Sequence, residues 1–334
     1  MRKAIRTIVA TAATTTLAVA ALVPAAHAAD STGVEAVADF VSDVAPITLD
    51  TQVPEETRTA FVVGESMPEA TVTIPRDANT ALEISEGSPS SDITLSLPHE
   101  IDVDEGLLTQ DGTVVFPDAG AGVDVTAQAT DGSVRITTVI EDADAPHSFT
   151  YDLGLPAGAT VVFKHGGLQL LDSDGEWLGG VAPPWAVDAN GIEQPTHYEL
   201  LEGSFVQVVE PRSDAAYPIA ADPWLGKDLI SKTSWSYKSA YKGYTLAVYP
   251  TKWGRAGAYL TVGAATYWWL RDSVWTETKS KTAGTRENTN SMRDQLYCHV
   301  DVVRLVDPAK ESWNIDTWRP HVSYTKMIEK RCNP

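Results

Sequence analysis

The chain contains 334 residues with a formal net charge of −20, and only two of its residues are cysteines. Two cysteines without a C-x-x-C spacing exclude a cysteine-rich zinc site. A serine-hydrolase elbow, a phosphate-binding loop and a dinucleotide fingerprint are also absent from the sequence, so no common motif defines a reaction.

The first 28 residues have the features of a secretory signal peptide. Three basic residues precede an uncharged stretch from residue 7 to residue 26, and the small-x-small sequence Ala-His-Ala ends at Ala28. We therefore predict cleavage between Ala28 and Ala29. A membrane anchor would need about 20 strongly apolar residues, whereas threonines and Pro24 interrupt this stretch. The mature chain is expected to lack a transmembrane segment and to be secreted, either free or associated with the cell wall.

The mature chain divides into an acidic part and a basic part. Residues 29–224 contain 35 acidic and 5 basic side chains, whereas residues 225–334 contain 17 basic and 10 acidic side chains. Seven of the ten tryptophans also lie in the basic part. A composition shift of this kind marks a domain boundary. The run 217–224, which contains two prolines, is the predicted junction.

The acidic part begins with a predicted short helix. Thr32 and Glu35 form a capping box, and apolar residues follow at helical spacing. Residues 48–91 are polar, acidic and interrupted by prolines, which predicts a linker with one strand near residues 61–64. We therefore assign residues 29–90 to a short helix and an acidic linker.

From residue 91 to residue 224 the pattern is that of short antiparallel strands. Three runs approximate an alternation of apolar and polar residues, and Asp-Gly or Asn-Gly pairs stand between runs as hairpin turns. The predicted fold is a mostly antiparallel, sandwich-like β domain. The runs are 93–97, 134–140 and 205–209, and the turns are Asp111-Gly112, Asp131-Gly132, Asp174-Gly175 and Asn190-Gly191.

The basic part, residues 225–334, combines predicted strands with a predicted helix. Residues 245–249 and 258–262 are predicted strands. Residues 290–303 are a predicted helix with Asn290 as its N-cap. We therefore predict a small α+β domain that is rich in aromatic residues.

Both cysteines, Cys298 and Cys332, lie in the basic part. In an exported domain, two cysteines most simply form a disulfide. A bridge across a loop of this length stabilises a domain by roughly 3–4 kcal/mol in the chain-entropy account. A metal-binding pair and a nucleophilic cysteine are the alternatives, and no Cys/His set supports either of them.

Several segments of the basic part resemble a known family. They are Ser-Met-Arg-Asp-Gln-Leu-Tyr-Cys-His-Val at 291–300, Ser-Trp-Asn-Ile-Asp at 312–316, Trp-Arg-Pro at 318–320 and Cys-Asn-Pro at 332–334. Together they resemble the domain-of-unknown-function 2599 family of secreted actinobacterial proteins. The resemblance implies export, a self-contained C-terminal unit and a disulfide between Cys298 and Cys332. It implies no reaction and no catalytic residue.

The acidic part shows a second resemblance. The runs 184–191 and 217–224 resemble a β-rich leader that precedes differing C-terminal domains in other exported actinobacterial proteins. This resemblance covers roughly residues 91–224 and implies a carrier domain.

His299, Arg319 and His321 are the candidate catalytic residues. A histidine provides a general base of near-neutral pKa when a polar partner lies within hydrogen-bond reach, and Arg319 could grip a carboxylate or a phosphate. His299 and Arg319 each also have a plainer, structural interpretation. His299 is then a packed helix residue beside the disulfide, and Arg319 stacks on a tryptophan.

No metal site and no cofactor are predicted. The run 172–176 resembles the first part of a calcium loop, but the position that should carry a glutamate ligand is Pro183. A hairpin turn is therefore the expected structure of this run.

The charge of the basic part suggests a binding function. A net charge of +7 and aromatic residues suit an anionic polymer of the cell surface, a nucleic acid or a membrane surface. The plainer account assigns the aromatic residues to the core and the lysines to ordinary solvation. A third possibility is a contact in which the acidic domain covers the basic one. The cationic residues considered are Lys227, Lys232, Lys238, Lys242, Lys252 and Arg255.

We expect a secreted, non-enzymatic protein whose C-terminal domain binds a surface or a protein partner, with the β-rich domain as its carrier. The alternative is an exported effector with a hydrolase or toxin-like C-terminal domain. An open cleft in which His299, Arg319 and an acidic residue meet would favour the enzyme.

Overall fold

The computed structural model describes residues 31–46, 52–64, 70–88, 91–130, 132–256, 264–282 and 289–334. The predicted signal peptide and its cleavage site between Ala28 and Ala29 lie outside these residues. The described residues form two large antiparallel sheets that share one core, followed by a smaller sheet that packs with helices.

The first sheet has eight strands and includes part of the segment predicted as a linker. In spatial order its strands are β1 (Glu55–Glu56), β2 (Ala60–Val63), β3 (Thr71–Pro75), β4 (Leu82–Ser85), β5 (Ile93–Leu95), β10 (Ser148–Gly154), β16 (Ser204–Val209) and β15 (Thr196–Leu201). Strands β1 to β4 therefore lie in a segment that was predicted to be mostly linker. The reason is that polar and acidic side chains such as Glu83 occupy the outward positions of strands whose alternate residues, such as Ile84, are buried.

The second sheet has ten strands. Its main path is β11 (Thr160–Lys164), β12 (Gly167–Leu171), β13 (Trp177–Val181), β18 (Trp224–Gly226), β9 (Ser133–Ile140), β8 (Val123–Thr130), β7 (Val114–Phe116) and β6 (Leu107–Leu108). Off this path, β17 (Ile219–Ala221) pairs with β9, and β14 (Ala186–Asp188) pairs with β17. Apolar side chains from both sheets, such as Phe149 and Ile136, belong to one buried cluster. The mostly antiparallel, sandwich-like β fold is thereby confirmed.

Helix α1 (Ser31–Val44) covers the outer face of the second sheet, as the helical spacing of its apolar residues predicts. Val34 packs with Val115 of β7. Arg135 of β9 is fully buried, and its Nη1 donates to the carbonyl of Ala45 at 2.7 Å, which satisfies a carbonyl at the C-terminal end of the helix. The side chain of Thr32, the predicted cap, lies outside the described residues.

The run 217–224, predicted as the junction between domains, lies inside the second sheet. Strand β17 pairs with β9, and β18 also pairs with β9 on the other side of Pro223. The two prolines stand outside these short strands, where a missing backbone donor does not interrupt the ladder. The chain therefore leaves the second sheet only after Gly226.

The run 172–176 forms a tight turn between β12 and β13, as expected. The Oδ1 atom of Asp172 accepts hydrogen bonds from the backbone nitrogens of Asp174 and Glu176, both at 2.9 Å. Gly175 has a φ of +80°, a left-handed conformation that favours glycine. The carboxylate oxygen of Asp172 therefore stabilises the turn.

The C-terminal part joins a three-stranded sheet to helices, which confirms the α+β prediction. Its strands are β19 (Ile230–Lys238), β20 (Gly243–Pro250) and β21 (Trp313–Asp316), paired in that order. Its helices are α2 (Lys252–Ala256), α3 (Ala264–Ser280), α4 (Asn290–Cys298), α5 (Arg304–Val306) and α6 (Tyr324–Glu329), and a π-helical turn (His299–Val303) links α4 to α5. The strand predicted over residues 258–262 lies outside the described residues.

Helix α4 is capped at one end and cross-linked at the other. The cap is Thr289 rather than the predicted Asn290, because the Thr289 hydroxyl accepts a hydrogen bond from the backbone nitrogen of Met292 at 3.2 Å. At the other end, Cys298 forms a disulfide with Cys332, with their Cα atoms 5.3 Å apart. The predicted disulfide is present, and it ties the segment after α6 to α4.

A tryptophan cluster joins the sandwich to the C-terminal part. Trp177 and Trp224 of the second sheet belong to the same buried cluster as Trp253 of α2 and Trp269 of α3. Gly226 allows this contact, because a Cβ atom there would lie 2.5 Å from the Trp253 ring. The two parts of the chain therefore share an apolar core.

Candidate functional site

The outer face of the three-stranded sheet is polar and its inner face is apolar. Ser236, Thr245 and Asp316 are direct cross-strand partners, so their side chains lie on the same face. The adjacent residues point to the other face and are buried; they are Leu246 on β20 and Ile315 on β21. Hydroxyl, amide and charged groups therefore line the face that lies away from the core.

An open groove of about 540 Å³ occupies this outer face. Its volume falls in the range of small-molecule sites. Three cationic side chains line it, Lys238, Lys310 and Arg319, against one carboxylate, Asp316. The groove thus carries positive charge on a chain whose overall charge is negative.

Asp316 is a fixed part of the groove floor. Its Oδ1 accepts a hydrogen bond from the Thr245 hydroxyl at 2.6 Å, and its Oδ2 pairs with Nε of Arg319 at 2.6 Å. The backbone of Asp316 is held as well, because the buried Gln295 of α4 accepts from its nitrogen at 2.9 Å and donates to its carbonyl at 3.0 Å. Helix α4 therefore sets the position of β21 and of the Asp316 carboxylate.

The segment after α6 forms one wall of the groove. Asn333 lines the groove, and Nη1 of Arg319 donates to the carbonyl oxygens of Asn333 and Pro334, both at 3.0 Å. The neighbouring Cys332 is fully buried and bonded to Cys298. The disulfide therefore anchors this wall.

A stacked aromatic pair stands at one end of the groove. The rings of Tyr241 and Trp318 are parallel within 5°, and their centroids are 4.7 Å apart. Gly243 leaves room for this arrangement, because a Cβ atom there would lie 2.7 Å from Cε3 of Trp318. Tyr241 remains 61% exposed, so the pair presents a flat apolar surface to solvent.

His299, the first catalytic candidate, is not part of the groove. It is fully buried in the π-helical turn, and its Nδ1 lies 2.8 Å from the carbonyl of Gln295. Burial lowers its pKa to about 4, because the charged imidazolium loses hydration. The imidazole is therefore neutral at pH 7 and out of reach of a dissolved substrate.

The other two candidates are not buried as His299 is, and they have different partners. His321 is exposed and pairs with Oδ2 of Asp294 at 2.7 Å, while Arg319 lines the groove. The structure thus brings only Arg319 and Asp316 together in an open cleft. The predicted stack of Arg319 on Trp318 is also present, with the guanidinium 5.9 Å from the ring centroid.

The six cations considered from the sequence have different surroundings. Lys238 lines the groove, and the ammonium of Lys232 lies 4.7 Å from the ring centroid of Tyr249, another lining residue. Lys227 is buried and pairs with Glu86 at 2.9 Å. Arg255 donates to backbone carbonyls, and Lys242 and Lys252 do not line the groove.

Sequence reasoning missed Lys310 and Tyr241. Lys310 lies in the loop before β21, and Tyr241 lies in the turn between β19 and β20. Their positions carry no periodic signal, because a loop has none. The alternation of small polar and aromatic residues in Ser234-Trp235-Ser236-Tyr237-Lys238 is the signal that could have predicted a polar sheet face.

A second aromatic cluster surrounds Arg271 of α3. Its guanidinium lies 4.5 Å from the ring centroid of Trp268 and 5.2 Å from that of Tyr324, and its Nε pairs with Oδ1 of Asp301 at 2.6 Å. Asp301 is thus engaged by Arg271. Because both carboxylate oxygens accept from one guanidinium, the cluster acts as a link between α3, the π-helical turn and α6.

Two classes of feature are not found among the described residues. No group of three metal-ligating side chains occurs there. The helices in the same part of the chain are also too short or too polar to cross a membrane.

The fold and the groove define a class of protein. It is a β-sandwich protein that carries a small, disulfide-bonded α+β region with a cationic groove and an aromatic wall. The groove is built entirely from residues of that C-terminal region.

The same region matches known sequences. Residues 230–334 match a family described as "Protein of unknown function (DUF2599)". Uncharacterized proteins of Mycobacterium bovis and of Mycobacterium tuberculosis are each 33% identical over 107 residues, which span 32% of this chain and 66% of each relative. The C-terminal region therefore resembles this family, as its sequence segments implied. Both cysteines and the whole groove lining lie within the matched residues.

Proposed function

We propose that this is an exported protein whose C-terminal region binds an anionic polymer of the cell surface in the groove lined by Lys238, Lys310 and Arg319. One observation carries the proposal: three cationic side chains surround an open groove on an otherwise acidic molecule. Clustered positive charge in a concave surface attracts a polyanion and raises its local concentration. The β-sandwich serves as the carrier.

The groove offers binding groups and no activated catalytic group. Its one carboxylate, Asp316, is already held by Thr245 and Arg319. The two histidines and the arginine suspected from the sequence do not converge, since His299 is buried and His321 pairs with Asp294. A general base must reach the proton that it removes, so the hydrolase or toxin-like alternative has less support than binding.

Export is part of the proposal. The signal-like first 28 residues and the disulfide both support an oxidising compartment outside the cytoplasm. The intact mass of the protein recovered from the culture medium tests it. A mass that begins at Ala29 supports export with cleavage, and retention of the first 28 residues contradicts it.

The binding proposal is tested with the full mature chain and dextran sulfate as the probe. We expect the double variant Lys238→Gln/Lys310→Gln to bind about tenfold more weakly, since each exposed ion pair contributes about 0.7 kcal/mol. Wild-type binding should also weaken as salt is added. Isothermal titration calorimetry at two salt concentrations measures both effects.

The matched control is Lys279→Gln/Lys326→Gln, which removes the same charge from exposed positions outside the groove. This variant should bind like the wild type. Equal losses in the two double variants would mean that net charge, not the groove, determines binding. No binding of dextran sulfate by the wild type would contradict the proposal.

A further inference from the structure

We infer that the anionic polymer is a glycan, and that one of its sugar rings packs against the exposed ring of Tyr241. This inference rests on the proposed function, because it assigns a chemical class to the ligand of the same groove. The stacked pair of Tyr241 and Trp318 and the short polar side chains of the groove floor support it together.

Tyr241 provides a rigid platform. Trp318 covers one face of its ring, and among the described residues no other aromatic or cationic group covers the opposite face. Trp318 is itself fixed, because the preceding residue, Thr317, donates from its nitrogen to the carbonyl of Tyr244 at 2.9 Å. A pyranose has a flat face of C–H groups, and burial of that face against an aromatic ring is favourable. The platform therefore suits a sugar ring.

The groove floor suits sugar hydroxyls. The Thr245 hydroxyl donates to Asp316 and so keeps its lone pairs as acceptors. The Ser312 hydroxyl donates to Oδ1 of Asn314 at 3.1 Å, which leaves the amide hydrogens of Asn314 as donors. A sugar hydroxyl both donates and accepts, so a floor that offers acceptors beside donors matches its chemistry.

The same floor is poorly suited to nucleic acid. Sheets that bind single strands usually present several aromatic side chains on which successive bases stack. This sheet face instead presents Ser236, Thr245 and Ala247, and the ring of Tyr249 is already covered by Lys232.

The inference is tested by comparing three polyanions on the full mature chain. Polygalacturonate has one carboxylate per sugar ring, polyphosphate has charge without rings, and poly(dT) has phosphates and bases. We expect Tyr241→Ala to lower the affinity for polygalacturonate about tenfold and to leave the affinity for polyphosphate unchanged. Tyr241→Phe, which keeps the ring, should retain wild-type affinity. Lys238→Gln/Lys310→Gln should weaken both polymers.

The matched control is Tyr237→Ala. Tyr237 is also exposed, at 56%, but it lies on β19 between two groove residues and therefore points to the opposite face. Its loss should not change polygalacturonate binding. Thermal unfolding of each variant shows whether it is folded, and Tyr241 lies in an exposed turn where truncation to alanine removes no buried contact other than its stack.

The outcomes separate this inference from the proposed function. If Tyr241→Ala binds polygalacturonate like the wild type, or if the wild type binds polyphosphate equally well, the glycan assignment is wrong and the binding function stands. If poly(dT) binds more tightly than polygalacturonate and depends on Tyr241, the ligand is a nucleic acid. If none of the three polyanions binds, the glycan assignment is wrong, and the binding function fails as well if dextran sulfate also does not bind.

Discussion

His299 is held in the fold as a neutral side chain. It is fully buried, its Nδ1 is bonded to the Gln295 carbonyl, and its Nε2 has no hydrogen-bond partner in the described part of the chain. Burial of this nitrogen without a hydrogen-bond partner costs free energy, and burial of the charged imidazolium would cost more. The residue therefore contributes packing beside the disulfide, which was the plainer of the two interpretations of the sequence.

The burial of His299 predicts a specific pH dependence of stability. The unfolded chain takes up a proton near pH 6.5, but folded His299 does so only near pH 4. The unfolded state thus binds more protons between these values, and stability falls by roughly 3 kcal/mol as the pH drops from 6.5 to 4. In His299→Leu this loss should be absent.

Urea unfolding of both proteins at pH 7.0, 5.5 and 4.5 measures the effect. At each pH, the free energy of unfolding of the variant is compared with that of the wild type. Other groups, such as Glu141, whose pKa is raised to about 7, titrate equally in both proteins and cancel in this difference. A difference that does not change with pH would show that His299 does not titrate as expected.

At the scale of secondary-structure elements, α3 shows where sequence patterns fail. This helix was not predicted. Its buried positions include the polar residues Ser273 and Glu277, while Trp268 on the same helix is 47% exposed. Ser273 accepts from Gln169 of the sandwich at 3.0 Å, and Glu277 accepts from the backbone nitrogens of Leu229 and Ile230. A helix that buries polar groups in this way has no clear apolar stripe.

Other elements were predictable because their patterns are local. Strands β5, β9, β16 and β20 coincide with predicted runs. The helix predicted over residues 290–303 is present as α4 up to Cys298 and continues as the π-helical turn, with Thr289 rather than Asn290 as its cap. The alternating or helical spacing of these elements follows from an apolar face that packs toward the core, although β9 is buried on both faces. Strands β1 to β4 are short, and the outward positions of β3 and β4 include Thr71, Thr73 and Glu83, so composition indicated a linker there.

The contact between β18 and α2 gives an element-scale prediction. A Cβ atom at Gly226 would lie within 2.6 Å of three atoms of the Trp253 ring, which is fully buried. Gly226→Ala should therefore destabilise the protein by about 1–3 kcal/mol through overpacking. The free energy of unfolding in urea at pH 7 measures it.

The control is Gly33→Ala. Gly33 lies in α1, and a Cβ atom there meets nothing within 4 Å. This change should be neutral or stabilising by up to about 1 kcal/mol, because alanine favours a helix. Equal effects of the two substitutions would argue against a close contact between β18 and α2.

At the scale of the whole molecule, the two parts differ in charge but are joined mainly by apolar contacts. Trp177 and Trp224 pack with the tryptophans of the C-terminal part. The ion pair between Lys164 and Asp272, at 3.0 Å, has its cation on the acidic part and its anion on the basic part, which is the reverse of the net charges. Lys227 and Glu86 pair in the expected sense. Charge complementarity is thus a minor component of the contact.

This interface predicts that salt will not separate the two parts. Ionic strength of 1 M reduces the Debye length to about 3 Å, whereas burial of tryptophan surface is not weakened by it. Differential scanning calorimetry should therefore show one cooperative transition of the full chain at both 0.05 M and 1 M NaCl. Two transitions that appear only at high salt would show that the parts are held together by charge.

The sequence by itself determined the properties that are local or additive. Export features, the uneven charge, the β-rich and α+β regions and the cysteine pair are determined by composition, by short motifs and by periodicity. Tertiary structure decided which side chains meet. Tyr241 and Trp318 stack although they are 77 positions apart in the sequence, and Lys310 and Lys238 line the same groove. Such proximity depends on strand pairing and on a helix position fixed by distant contacts, which no single stretch of sequence encodes.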